Sequence, residues 1–259
     1  MRLTADFHTH TVYSHGKGTI YDNAVSASEK GLTAVGITDH GFSHKFLCMH
    51  KRDMKPMREE CDLATEKTGV KTLLGVESNI IGIDGIIDLK AKHYDFFDIL
   101  LAGVHKVPAY KLNSVFSLYF PDVVLGNQKH PKVPAWVRRN NTRAFVNVVK
   151  NNPVDIITHL NYGCFADAVE VAKACADYGT YIELNTKKRH LSDAEIEGIL
   201  KTGVKFVINS DAHTPDRVGD TALAEDLIER LNIPKERIMN IDGKMPDFRF
   251  KRFKETGQK

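Results

Sequence analysis

The chain has 259 residues with 36 Lys and Arg against 33 Asp and Glu, for a net charge of +3. That length suits one large domain, and an α/β barrel fills about 250 residues as a single unit. With 42% hydrophobic and 27% charged residues the composition excludes disordered and fibrous classes, and the small net charge gives no reason for bulk nucleic-acid or membrane binding.

In chain order, apolar runs rich in β-branched residues alternate with amphipathic helical patterns. The patterns predict a strand at 3–8, a helix at 20–30, a strand at 34–38, a helix at 54–68, and strands at 72–76 and 99–104. After a long connection come a strand at 154–159, a helix at 167–178, a strand at 181–185, a helix at 193–202, a strand at 205–210 and a helix at 221–231. Ser192 stands where an N-cap belongs, with Glu195 three residues on, and Gly31, Gly69, Gly179 and Gly203 stand near helix C-termini. Strands alternating with helices imply parallel βαβ units. Seven of them in about 210 residues, with no break in composition, predict a single-domain α/β fold, a closed or distorted TIM-like barrel. No run of about 18 apolar residues spans a membrane, and the N-terminus MRLTADFHTH lacks the apolar stretch of a secretory signal. Cys48, Cys61, Cys164 and Cys175 form no CxxC pair, so a reducing, cytoplasmic setting is expected.

Two segments depart from the alternation. The connection at 107–141 holds Pro108, Pro121, Pro131 and Pro134 with Phe116, Tyr119, Phe120 and Trp136, and five Lys or Arg against the single acid Asp122. Connections of that length are functional or disordered, so it reads either as a surface excursion over the barrel or as a substrate-facing lid. The basic C-terminal tail with interleaved Phe248, Phe250 and Phe253 reads as a helix docked on the domain rather than as a nucleic-acid arm.

Twelve histidines are the anomaly of the composition. Six of the seven expected strands end in a His, Asp or Glu: His8 and His10, Asp39 and His40, Glu77, His105, His159, then Asp211 and His213. In such barrels the active site is assembled at the C-terminal ends of several strands. Residues two apart share a strand face, so His8 with His10, and Asp211 with His213, converge on one ion. Imidazole and carboxylate suit Zn, Mn or Fe, and a carboxylate can bridge two ions. Glu77 follows an apolar strand, where an unpaired carboxylate is costly, and a bridging role removes that cost. Asp39 has a second reading, as a group that orients a ligand imidazole. His15, in the loop Ser14-His-Gly-Lys-Gly, reads as a ligand or as a solvated loop histidine. His44, His50, His93, His130 and His190 lack strand-end placement and read as surface or supporting residues.

The set HxH, DH, a lone Glu, His, His and DxH, in the stretches ADFHTHTVYSHGKGT, GITDHG, GVESNI and NSDAHT, resembles the PHP family, named for polymerase and histidinol phosphatase. The resemblance implies a distorted (β/α)7 barrel with a centre of two or three divalent ions, Zn, Mn or Fe, and phosphoesterase chemistry. It implies the ligands His8, His10, His15, His40, Glu77, His105, His159, Asp211 and His213. Amidohydrolase barrels also open with HxH, but they expect a carboxylated lysine at the end of strand four, where this chain has His105.

With two or three ions close together, the expected reaction is hydrolysis of a phosphate ester by hydroxide generated at the metal, with the ions clamping the phosphoryl oxygens. Catalysis is expected to depend on Glu77, His10 and Asp211. Lys106, Lys188, Arg189 and Arg217 are candidates for holding the remaining phosphate oxygens. A small-molecule phosphomonoester, with histidinol phosphate as one candidate, is the first reading of the substrate. A nuclease or phosphodiesterase using the aromatic-basic connection is the second, and a silent metal-binding module the third. Neither a membrane partner nor an oligomeric state is indicated.

Overall fold

The structure, a computed structural model, describes residues 1–43, 47–105 and 133–257. Seven strands run parallel in sequence order: β1 (Ala5–Thr9), β2 (Ala34–Ile37), β3 (Lys71–Asn79), β4 (Ile99–Gly103), β5 (Ile156–Ile157), β6 (Tyr181–Asn185) and β7 (Phe206–Asn209). Each neighbouring pair is joined by a parallel ladder, with one irregularity in that of β1 and β2, except β1 and β7. These two meet through a single parallel bridge between Thr9 and Ala212 and through side chains. Phe7 N–H donates to Asn209 Oδ1 at 3.0 Å, and Asp6 accepts from Ser210 N–H at 3.1 Å and Gly219 N–H at 2.8 Å. The sheet is therefore a nearly closed barrel with one seam, as the sequence predicts.

Strand alternation divides the core in two. Ala5 and Phe7, Ala34, Leu73, Ile99 and Leu101, Ile156, Tyr181 and Val207 point inward and fill the lower barrel. The other strand face carries Val35, Ile37, Leu74, Val76, Leu100, Ala102, Ile182 and Ile208, covered by helices α1 (Ile20–Glu29), α2 (Met54–Thr68), α3 (Ala135–Asn151), α4 (Ala168–Tyr178), α5 (Asp193–Leu200) and α6 (Ala222–Arg230). Local signals act as expected. Ser192 and Glu195 form a capping box on α5, and Gly69 and Gly179 end α2 and α4 at φ 72° and 71°, where a Cβ would be strained.

Two expectations are revised, and that for the C-terminal tail is met. The connection predicted over 107–141 ends earlier, because Ala135–Asn151 is a helix whose buried face includes Val137, Phe145 and Val148. Residues 106–132, with Lys106 and His130, lie outside the described residues, as does His44. The strand predicted at 154–159 keeps only two ladder residues, because the Asp155 side chain takes Leu100 N–H at 2.9 Å. The C-terminal tail forms helix α7 (Arg249–Thr256), which seals the barrel floor. Phe248 meets the Phe7 ring edge-on at 5.0 Å, Phe250 is fully buried, and the Arg249 guanidinium sits 5.1 Å from the Tyr178 ring centroid and donates to Val149 O at 2.7 Å.

Candidate metal centre

The alternation that makes the lower barrel apolar makes its upper end polar. Leu73, Gly75 and Glu77 share one face, as do Leu101 and Gly103, Tyr181 and Glu183, and Val207 and Asn209, so Glu77 and Glu183 point into the barrel above the apolar layer. Strand β1 needs a correction to do the same. Phe7 points inward, so regular alternation would turn His8 outward. A bulge between Asp6 and Thr9 adds one residue to β1 and brings both His8 and His10 inside. His159 and Asp211 adopt left-handed φ values of 27° and 49° at the ends of β5 and β7, an uncommon conformation that aims each side chain at the axis. Gly103 leaves space for His159, since a Cβ there would stand 2.4 Å from Thr158 Oγ1 and 2.8 Å from His159 Cε1.

The nine residues marked by the sequence meet at this point. Glu77, fully buried, is the hub. Its Oε2 lies 2.8 Å from His40 Nδ1, 3.2 Å from His105 Nε2, 3.3 Å from His8 Nε2 and 3.6 Å from His10 Nε2, and its Oε1 lies 2.6 Å from His159 Nε2. Asp211 Oδ1 stands 3.4 Å from His10 Nε2 and 3.3 Å from His213 Nδ1. His15 joins through His213, Nε2 to Nε2 at 2.6 Å. Four triads place their donor atoms within 4.8 Å of one another: His10, His40 and His213; His8, His10 and Asp211; His8, Glu77 and His159; His40, Glu77 and His105. Glu77 Oε2 has four imidazole nitrogens around it and no hydrogen bond of proper geometry. Lone pairs gathered on one point in this way fit a divalent ion better than they fit one another.

Electrostatics agree. Burial alone would raise the Glu77 carboxyl, but the imidazoles of His105, His8 and His159 hold it well below the usual range. Burial disfavours charge on His8, but Glu77, Glu183 and Asp211 outweigh it and raise that group well above its ordinary value. Burial and the neighbouring imidazoles His213 and His105 pull His15 down to about 4 and His40 to about 3. Carboxylates held charged beside His15 and His40, which burial keeps neutral, form a site that attracts cations.

The PHP domain family matches residues 6–187. The chain belongs to the PHP domain family. A protein named probable phosphatase from Shewanella sp. (strain MR-4) is 30% identical over 252 residues, covering 93% of this chain and 88% of that protein. One of the same name from Caldanaerobacter subterraneus subsp. tengcongensis is 31% identical over 255 residues, with the same coverage. The fold is similar to that of the histidinol phosphate phosphatase of Lactococcus lactis, solved with zinc, L-histidinol and phosphate, with TM-score 0.59, 16% identity, and 89% and 94% of the two chains covered. The chain is thus a metal-dependent phosphoesterase of the PHP type.

This PHP centre also holds residues that the sequence reading passed over. Glu183, buried in β6, accepts from His8 Nδ1–H at 2.7 Å and Asn209 Nδ2–H at 3.0 Å, and its second oxygen accepts from His159 N–H at 2.8 Å and Asn185 Nδ2–H at 2.9 Å. Asn79 Oδ1 accepts from His105 Nδ1–H at 2.7 Å. Both contacts fix the tautomer so that Nε2 carries the lone pair facing the centre. The signal was present in Tyr181-Ile-Glu-Leu-Asn, where an acid and an amide two apart share the inward face. Asp39 orients no imidazole. Instead it accepts from Thr11 N–H at 2.8 Å and Ser14 Oγ–H at 2.5 Å, bracing the loop that carries His15.

Among the described residues, a cavity of about 370 Å³ opens over the centre, lined by the outer ligands together with Leu47, Tyr162, Lys187, Lys188 and His190. His190, read from sequence as peripheral, therefore faces the site. Lys188 lines the cavity as expected. Arg189 and Arg217 do not: Arg189 pairs with Asp193 and borders only an adjoining recess, and Arg217 pairs with Asp220 at 3.0 Å. Lys187 lines the cavity as well, with Nζ 3.2 Å from Asp211 Oδ1 and 3.0 Å from His213 Nδ1. His50 and His93 lie outside this cavity.

Proposed function

We propose that this PHP-family chain hydrolyses small-molecule phosphomonoesters at two or three divalent ions, Zn, Mn or Fe. His8, His10, His15, His40, Glu77, His105, His159, Asp211 and His213 would hold them, with Glu77 shared between two. The observation that carries this reading is the convergence of nine nitrogen and oxygen donors beneath a small cavity, with no Ser, Thr or Cys among its described lining residues. With no Ser, Thr or Cys among the described lining residues and Asp211 engaged by its histidines, this reading makes water the attacking group. Ions bound here supply Lewis acidity toward phosphoryl oxygens and acidify water.

The chain's own groups then have defined tasks. Glu183 and Asn79 hold His8 and His105 in the orientation that directs Nε2 to the centre. Asp211 is fixed by Asn185 Nδ2–H at 3.3 Å as well as by its histidines. Lys187, close to Asp211 and His213, supplies a mobile ammonium to a phosphoryl oxygen. Tyr162 and His190, with ring centroids 5.0 Å apart, wall the far side, where the leaving alcohol lies.

The deciding assay compares p-nitrophenyl phosphate, histidinol phosphate and a single-stranded oligonucleotide, each with Mn and with Zn. Turnover of the monoesters that is abolished by chelation and restored by metal is expected. Hydrolysis of the oligonucleotide alone would overturn the monoesterase reading, and turnover of none would leave a metal-binding module. His10→Ala and Asp211→Ala should each lower kcat by at least about 10³-fold, since His10 is shared between two triads and Asp211 is the carboxylate of one of them.

A further inference from the structure

The ligand-free wall of the cavity has a charge of its own. Lys187 and Lys188 come from the loop after β6, and that loop is held in place: Asn185 Oδ1 accepts both Lys187 N–H at 3.0 Å and Lys188 N–H at 3.1 Å. Through its Nδ2 the same amide is tied to Glu183 and Asp211. Lys187 is directed to Asp211 and His213 and so belongs to the phosphoryl end. Lys188 borders both the main cavity and the adjoining recess, and unlike Lys187 it has no contact with Asp211 or His213 among the described residues.

Among the described residues no carboxylate balances it there. Asp211, the one acid among the described lining residues of the main cavity, faces Lys187, His10 and His213. Glu183, in the recess, spends both oxygens on His8, Asn209, His159 and Asn185. A leaving group carrying an ammonium would enter an uncompensated positive field, and one carrying an anion would find a partner.

We infer that the cavity selects phosphomonoesters whose leaving group is itself anionic, and that Lys188 is the residue that recognises that charge. The inference rests on the phosphomonoesterase reading and names its substrate class. Three small monoesters of two-carbon alcohols test it, because they differ chiefly in leaving-group charge: phosphoglycolate, ethyl phosphate and phosphoethanolamine, assayed with the Mn-loaded full chain. The expected order of kcat/KM places phosphoglycolate first and phosphoethanolamine last, with at least about tenfold between them. Lys188→Ala should cut that ratio about tenfold, chiefly through KM for phosphoglycolate, and Lys188→Glu should invert it. Equal turnover of the three esters, a preference for phosphoethanolamine, or a ratio unmoved in both variants would overturn the inference while leaving the monoesterase reading intact. Failure to hydrolyse any of the three, or p-nitrophenyl phosphate, would overturn both. Phosphoserine, with an anion and an ammonium together, separates recognition of the anion from exclusion of the cation.

Discussion

Glu183 touches the centre through His8 and the His159 backbone, so its contribution is to geometry and basicity rather than to chemistry. Groups in that position are worth about 10- to 100-fold in metal affinity. Glu183→Gln should therefore weaken binding of the first ion by about that factor, measured by competition with a chelating dye, and excess metal should recover most of the activity. Gly103 acts by having no side chain. Gly103→Ala would drive a methyl group into Thr158 and His159, so metal occupancy should fall more than global stability, as a metal titration set beside a thermal melt would show. Histidines two apart or beside an aspartate are visible in any sequence. Glu183 was overlooked because a single acid inside an apolar strand gives no pattern until the strand's facing is known. His190 was misjudged for a related reason, since its loop returns over the cavity and strand-end position says nothing of that.

Elements were legible where the period was long and bounded by caps. The helix at 193–202 and its capping box came through almost unchanged, while the helix Ala135–Asn151 was hidden because Pro-rich sequence runs directly into it and Pro134 supplies no side-chain cap. The bulge in β1 was not legible at all. It arises from pairing with β2, a property of two strands together, and nothing local announces it. The most demanding element is α7. Phe250 is fully buried beneath the barrel and packs on Tyr94 at 4.9 Å. Phe250→Ala should cost about 3–5 kcal/mol in urea unfolding, with metal binding per folded molecule little changed, because the floor and the centre are at opposite ends of the barrel.

For the molecule as a whole, one buried carboxyl that links stability to pH lies away from the centre. Burial raises the Asp155 carboxyl to about 7, although Phe250 N–H and Leu100 N–H donate to it. The folded chain thus keeps this proton over a range where the unfolded chain, with a value near 3.8, releases it. The contribution is fully present below about 4 and is lost as pH rises toward 7. In metal-stripped protein, Asp155→Asn should remove that slope, so the stability of the variant relative to the native chain should climb between pH 4 and 7. Parallel urea-midpoint curves for the two proteins would refute the assignment.

The seam between β1 and β7 has a consequence for how the ends of the chain are joined. With one backbone bridge and a few side chains across it, this is the weakest join in the barrel. Its two lips carry His8 and His10 on one side and Asp211 and His213 on the other, about 200 residues apart along the chain. An ion held between them, as proposed, acts as a reversible cross-link that closes a very long loop, the kind of tie that removes most freedom from the unfolded ensemble. Metal loading should then do more than raise the melting temperature. It should slow amide exchange in β1 and β7 more than in β3 and β4, so that occupancy of the centre is read out as the barrel's circumference being complete.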